Sequence, residues 1–231
     1  MSNSHDENRE NKLLLKLKNL ILDLGCDHIP TFGGKYEGGI HLQQVADEIA
    51  PCIYDLKKYN HKFRNFLEIG AAAGGNAYLF NHFFDFDHVT IIDDNKHPKH
   101  RLRKEILKDV NYSEWIGDSH TVPAITYLES LNLNYDIIFI DGDHSYGGVL
   151  NDYIMYRDFL NYKGFIIFHD TYACKGVKEV VDNMKKGAEM FQDHTTEMFP
   201  IKLFGDYIGK NKKLGITVFQ IHTIPKWRDG K

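Results

Sequence analysis

Apolar residues recur along this chain with two different periods. Leu13, Leu17, Leu20, Ile21 and Leu24 fall at helical spacing, and Gly25 offers a stop. The polar dozen residues before them read as a disordered tail. "CDHIPTFGGKYEGG" is glycine-rich and reads as a loop able to fold over a site. Val45, Ile49, Ile53 and Leu56 share one face of a helix predicted over 42–58. From residue 64 strands and helices alternate. "RNFLEIG" predicts a strand and "GNAYLFNHFF" a helix; "HVTIID" a strand, then a helix over 97–108. "YSEWIGD" predicts a short strand before a helix over 120–131, and "YDIIFIDGD" a strongly apolar strand before a helix over 146–160. "GFIIFHD" is a fifth strand, followed by a helix over 175–187. "FPIKLFGDYIG" and "LGITVFQIH", joined by "KNKK", read as a terminal hairpin.

Strands that alternate with helices build a mainly parallel sheet covered on both faces, and near-continuous apolar strands fit burial on both sides. The expected fold is therefore α/β: a Rossmann-like, doubly wound, seven-stranded, mostly parallel sheet with a C-terminal antiparallel hairpin and an N-terminal helical cap. Residues 1–60 are expected to supply the tail and the cap or lid, and residues 61–231 one globular catalytic unit. The N-terminal helix is expected to dock on that unit, with pairing to a second copy of the chain as the alternative.

Composition narrows the function. A net charge of −4 offers no basic footprint for nucleic acid. No apolar run approaches the roughly 20 residues that span a bilayer. Three scattered cysteines, Cys26, Cys52 and Cys174, argue for reduced thiols. With no signal-peptide core at the start, the expected location is the cytoplasm.

In sheets of this kind ligands bind at the carboxyl ends of the strands. Those ends read Glu68 with Gly70, Asp93 with Asp94, Asp118 with Ser119, Asp141 with Asp143 and His144, and His169 with Asp170. Single acids cap helices often; five polar ends on one rim point to a ligand. The turn Gly70-Ala71-Ala72-Ala73-Gly74-Gly75 brings backbone close to that ligand. A dinucleotide fingerprint would need glycine where Ala72 stands, and Glu68 suits an amino group better than a phosphate. A nicotinamide-dependent oxidoreductase is thereby disfavoured. A non-catalytic binding subunit is the other alternative.

The E-x-G-x-x-x-G pattern resembles that of class I S-adenosylmethionine-dependent methyltransferases. "IGDSH", "FIDGDHSYGGVLNDY", "GFIIFHDT" and "GGIHLQQVADEIA" resemble the small-molecule O-methyltransferase branch, with its cephalosporin-hydroxylase-like and macrocin-type sugar enzymes and, more distantly, catechol-type enzymes. Ala46 stands where that branch often has proline. The resemblance spans roughly residues 40–222. It implies S-adenosylmethionine held by Glu68, Gly70, Ala71, Gly74, Asp93, Asp94, Gly117, Asp118, Ser119 and Asp141. Asp93 would accept the ribose hydroxyls and Asp118 would sit near the adenine amine. The implied acceptor is a small-molecule hydroxyl, a sugar first and a phenol or other hydroxylated natural product second.

Related enzymes hold a divalent ion against that hydroxyl. Asp141, His169 and Asp170 are the candidate ligands, for Mg²⁺ or, given a histidine, Mn²⁺. His169 reaches the ion only if the strand has already ended, because successive strand residues face opposite ways. The competing reading makes Asp141 a cofactor ligand and Asp170 a helix cap. His144, three residues past Asp141, is the candidate general base, with Asp141 beside it in catalysis; a cap for the next helix is its alternative. Lys175 is a weaker candidate base. Cys174 is not expected to act as a nucleophile, because methyl transfer from a sulfonium is direct displacement.

Overall fold

The computed structural model describes residues 3–59, 62–191 and 201–222. Within them, seven strands form one sheet in the order β3-β2-β1-β4-β5-β7-β6. They are β1 (Asn65–Ile69), β2 (His88–Asp93), β3 (Tyr112–Ile116), β4 (Tyr135–Ile140), β5 (Leu160–His169), β6 (Ile201–Tyr207) and β7 (Ile216–Ile221). The first five run parallel; β7 is antiparallel to both β5 and β6. The strand order reverses between β1 and β4, which opens a crevice at their carboxyl ends.

Among the described residues eight helices accompany the strands: α1 (Asn3–Asp23), α2 (Ile29–Phe32), α3 (Ala46–Lys58), α4 (Gly75–Phe84), α5 (Arg103–Ile106), α6 (Val122–Leu131), α7 (Tyr146–Tyr156) and α8 (Lys175–Phe191). The sheet separates two apolar layers. Ile49, Ile53 and Leu56 of α3 and Ala77 and Phe80 of α4 pack with Phe66, Phe139 and Phe165 on one face. Leu128 of α6, Val149, Tyr153 and Tyr156 of α7 and Val177, Val180 and Val181 of α8 pack with Leu67, Ile138 and Phe168 on the other. Residues of β1, β4 and β5 appear in both layers, which is why residues 66–67, 137–140 and 165–168 are unbroken apolar runs.

Four expectations need correction. Residues 3–12, expected to be disordered, continue α1 toward the N-terminus. Leu13 and Leu20 stay exposed while Ile21 is buried, so the α1 stripe docks chiefly by its C-terminal half; Lys58 pairs with Glu10 at 2.5 Å, and Lys18 with Asp47, to fix α1 on α3. The helix expected over 97–108 is a 3-10 turn (Pro98–Leu102) running into the single-turn α5, since Pro98 starts a turn well but only a short stretch follows before β3. β5 begins at Leu160, earlier than the apolar run, through a register shift opposite Tyr135 and Ile137. The glycine-rich loop contains α2 and is pinned by bridges from Cys26 to Glu37 and Leu42. Phe199 and Pro200 of the expected hairpin lie outside the described residues.

Candidate active site

The strand ends line one cavity of about 530 Å³, a size suited to a cofactor plus a small acceptor. Gly70, Asp93, Asp94, Gly117, Asp118, Ser119, Asp141, Asp143, His144, His169 and Asp170 all border it, with Phe32, Gln43 and Leu214 arriving from outside the strand ends. The sheet therefore gathers nearly all the expected site residues. What each side chain does there departs from expectation at several points.

The turn after β1 is built for close approach. Gly70 has φ +81°, and a Cβ there would lie 2.3 Å from the Asp141 carbonyl oxygen, so no other residue fits. The N–H groups of Ala71 and Ala72 donate to Asp93 Oδ2 at 2.8 and 2.9 Å. Asn95 N donates to Asp93 Oδ1 at 2.7 Å, and Arg103 Nη2 meets the same oxygen at 2.8 Å. A carboxylate accepts about four hydrogen bonds. Asp93, expected to hold the ribose hydroxyls, is thus filled by the protein and fixes the glycine turn. Its neighbour Asp94 also borders the cavity but is not filled: it accepts from Lys96 N at 2.9 Å and pairs with the Lys96 ammonium at 2.7 Å. Those Lys96 hydrogen bonds hold the Asp94 carboxyl below its usual range. Arg103, which no motif signals, also donates to Ala72 O and Glu114 while almost fully buried.

Beside that turn a side cleft of about 20 Å³ is bordered by Gln43, Gln44, Glu68, Gly70, Asn76 and Asp141. It has room for about one water-sized group. Glu68 Oε1 accepts from Asn76 Nδ2 at 2.9 Å. Glu68 Oε2, Asn76 Oδ1 and Gln44 Oε1 are buried acceptors without a hydrogen-bond partner. Burial lifts the Glu68 carboxyl to about 8. Three unpaired acceptors around a one-group cleft match the three N–H donors of an ammonium.

At the β3 end Asp118 is exposed and accepts from His120 N at 2.8 Å. Ser119, expected beside adenine, instead donates its hydroxyl to the buried Asp152 Oδ1 at 2.9 Å. His120 Nε2 lies 3.0 Å from that same oxygen and 3.1 Å from Gly148 O. Two acceptors require Nε2 to carry a proton, which leaves Nδ1 of neutral His120 as an acceptor at the cavity wall. Burial lifts the Asp152 carboxyl to about 6. Neither His120 nor Asp152 was expected; Asp152 sits 33 residues from Ser119 and meets it only through the fold.

At the β4 and β5 ends four groups converge. Asp141 Oδ1 lies 3.1 Å from both His144 Nε2 and His169 Nδ1. Asp170 stands 3.5 Å from His144 and 3.6 Å from His169. β5 ends at His169, and Asp170 turns left-handed at φ +57°. That break lets consecutive residues serve one centre, the condition on which His169 depended. Asp141, His169 and Asp170 offer ligand atoms within 4.8 Å of one another, and Asp170 Oδ1 is buried without a hydrogen bond. This donor set fits a divalent ion of the Mg²⁺ or Mn²⁺ kind. Burial opposes charge on His169, but the Asp141 and Asp170 carboxylates outweigh it and lift the imidazole to about 9. His144 is also raised, chiefly by its hydrogen bond to Asp141. The cap of α7 is Ser145, whose hydroxyl accepts from Gly148 N at 3.0 Å, so His144 is not needed as a cap.

Residues 67–171 match the family model described as a methyltransferase domain. R132, an uncharacterized protein of Acanthamoeba polyphaga mimivirus, is 25% identical over 148 residues, 62% of this chain and 67% of that one. The fold is shared with the O-methyltransferase TomG of Streptomyces achromogenes in complex with SAM, at a TM-score of 0.57 and 11% identity over 88% of this chain and 90% of that chain. It is shared with a Bacillus cereus O-methyltransferase in complex with SAH, at 0.54 and 12% over 72% and 78%. MycE of the mycinamycin biosynthetic pathway, in complex with Mg, SAH and mycinamycin VI, superposes at 0.57 and 14% over 86% of this chain and 55% of its own. The resemblance is borne out as a methyltransferase-domain match over residues 67–171, and the sheet it implied is present.

Proposed function

From a chain that carries a methyltransferase domain, we infer transfer of the S-adenosylmethionine methyl group to a hydroxyl of a small molecule, assisted by a divalent ion. The observation that carries this reading is the one-group cleft with three unpaired buried acceptors, Gln44 Oε1, Glu68 Oε2 and Asn76 Oδ1. It takes the cofactor's ammonium. From there the cofactor runs along the rim, with Asp94 accepting the ribose hydroxyls and Asp118 and His120 facing adenine. The sulfonium methyl then points toward Asp141, His144 and Asp170.

The acceptor oxygen attacks the methyl carbon in line with the C–S bond, and that bond's electron pair returns to sulfur. Alignment supplies most of the acceleration of such a displacement. The acceptor's proton passes to His144. Asp141 and Asp170 face its Nε2, so they hold that proton and leave Nδ1 of the neutral ring as the base. Asp141, His169 and Asp170 would hold a divalent ion, which when bound makes the hydroxyl more acidic. Exposed Tyr146 and Tyr172, each two residues beyond His144 and Asp170 respectively, offer aromatic faces for a sugar or a phenol.

Calorimetry with S-adenosylhomocysteine tests the core of the reading. Binding is expected in the micromolar range, about −8 kcal/mol. Radiolabelled methyl transfer to sugar and phenol panels, with EDTA and then Mg²⁺ or Mn²⁺ added back, tests the rest. No binding at millimolar S-adenosylhomocysteine would remove the methyltransferase reading; full activity in EDTA would remove the ion.

A further inference from the structure

The acceptor end carries a second set of donors with a different chemistry. Asp170 has two carboxylate oxygens, and they face different neighbours. Oδ1 lies 3.6 Å from His169. Oδ2 lies 3.5 Å from His144 Nε2 and 3.8 Å from Cys174 Sγ. His144, Asp170 and Cys174 place one ligand atom each within 4.8 Å of one another. The thiol is not loosely placed: Cys174 N donates to Asp170 O at 2.9 Å, and Lys178 N donates to Cys174 O at 2.9 Å, locking the residue at the start of α8.

A tetrahedral zinc site has bonds of about 2.0–2.3 Å, which sets neighbouring donors about 3.3–3.7 Å apart. The two measured separations already lie within a few tenths of an ångström of that. One sulfur, one imidazole nitrogen and one carboxylate oxygen are the ligands a borderline-soft ion selects, whereas Mg²⁺ takes oxygen almost alone. We propose that His144, Asp170 and Cys174 form a second cation site, for Zn²⁺ or a similar thiophilic ion, sharing the Asp170 carboxylate with the site of Asp141 and His169.

Binding there forms bonds from the ion to Sγ, Nε2 and Oδ2; the thiol proton leaves to solvent, and the Nε2 proton of neutral His144 moves to Nδ1. Three protein ligands leave a fourth tetrahedral position to water or another ligand. The ion also takes His144, the base of the proposed reaction, so zinc is an inhibitor of that reaction. Binding itself needs neither cofactor nor acceptor, so the site stands or falls apart from the methyltransferase reading.

Cobalt is the probe, because a thiolate bound to Co²⁺ gives a charge-transfer absorption that oxygen and nitrogen ligands do not. Titrating Co²⁺ into the full chain should raise this band to one equivalent, and Zn²⁺ should erase it. Cys174→Ser should abolish the band and weaken cobalt binding by more than about tenfold, since losing a ligand exceeds the loss of a supporting partner. Asp141→Ala, outside this ligand set, should keep the band. Circular dichroism and S-adenosylhomocysteine calorimetry on the same samples report folding and the cofactor site separately. Absence of the band in the wild type overturns the proposal. So does a band that survives Cys174→Ser, which would place the thiolate at Cys26 or Cys52.

Discussion

Asp93 and Asp94 are neighbours with opposite roles, and their difference is measurable. Asp93 holds four donors inside the protein, so Asp93→Ala strands buried N–H groups at about 1–3 kcal/mol each. It should lower the melting temperature. Asp94→Ala should leave melting nearly unchanged and weaken S-adenosylhomocysteine binding by about 1.5–3 kcal/mol. The reverse pattern would return the ribose to Asp93. The sequence showed both acids at the end of a strand, but the partners of Asp93 come from residues 21 and 22 positions earlier, and nothing local signals that. Glu68 gives a pH test. Its carboxyl sits at about 8 when folded, against an ordinary 4.5, so the folded chain binds a proton that the unfolded chain has released. Its contribution to stability is full below pH 4.5 and is lost as pH rises toward 8. Glu68→Gln should therefore gain on the wild type in melting temperature as pH rises across that window. An arriving ammonium reverses the preference and ionises Glu68. Cofactor binding near neutral pH should then release a proton, visible as a buffer-dependent heat that Glu68→Gln lacks.

Among the elements, α3 and the β6–β7 turn show how a remote acid shapes the site. Glu48, in the first turn of α3, is buried and accepts from Gly209 N, Lys213 N, Leu214 N and Gly215 N at 2.9–3.4 Å. The carbonyls of Leu214 and Gly215 in turn accept from Thr171, Tyr172 and Ala173. These three follow Asp170, so the turn braces the left-handed step that aims its carboxylate. Glu48→Ala should cost about 3 kcal/mol or more, speed amide exchange at Leu214 and Gly215, and weaken Mn²⁺ binding without touching the ion's ligands. Unchanged exchange there would break the chain of contacts. The helical period made α3 legible from Val45 to Leu56, but periodicity ranks residues by face and says nothing of a carboxylate's partners 161–167 residues away. β1, β2, β4 and β7 were legible for the opposite reason: burial on both faces demands apolar side chains in sequence, with no distant partner to know. The early start of β5 was hidden because Asn161, Tyr162 and Lys163 are polar or partly exposed at the sheet margin.

For the whole molecule, the question is how a ligand enters a cavity roofed by the N-terminal segment. Phe32 of α2 and Gln43 both border the cavity. Asp27 meets His41 Nδ1 at 2.6 Å and Lys99 Nζ at 3.3 Å, and accepts from Gln43 Nε2 at 2.6 Å; Gln43 Nε2 lies 3.2 Å from His97. This polar cluster ties segment 27–43 to the stretch after β2. Lys213 donates to Pro30 O and Thr31 O and ties the other side of α2 to the β6–β7 turn. The roof is thus fastened at two points, and release of either would widen the way in for a cofactor. Asp27 is the centre of the first. Burial would raise its carboxyl, but the hydrogen bonds from Gln43, His41 and Lys99 prevail and hold it below 3.8. Its contribution is present above that value and lost as pH falls through the folded pKa. Asp27→Ala removes every contact of that carboxylate, at about 1–2 kcal/mol in net terms. If the cluster latches the roof over bound cofactor, that loss appears as S-adenosylhomocysteine dissociation faster by about tenfold. Association should quicken as well, because the latch is formed without ligand and entry is limited by the open form. Stopped-flow displacement by excess unlabelled ligand measures both rates, and melting without ligand separates a loosened latch from a loosened fold. Dissociation at the wild-type rate, with the fold intact, would mean that the cofactor leaves by a path the cluster does not guard.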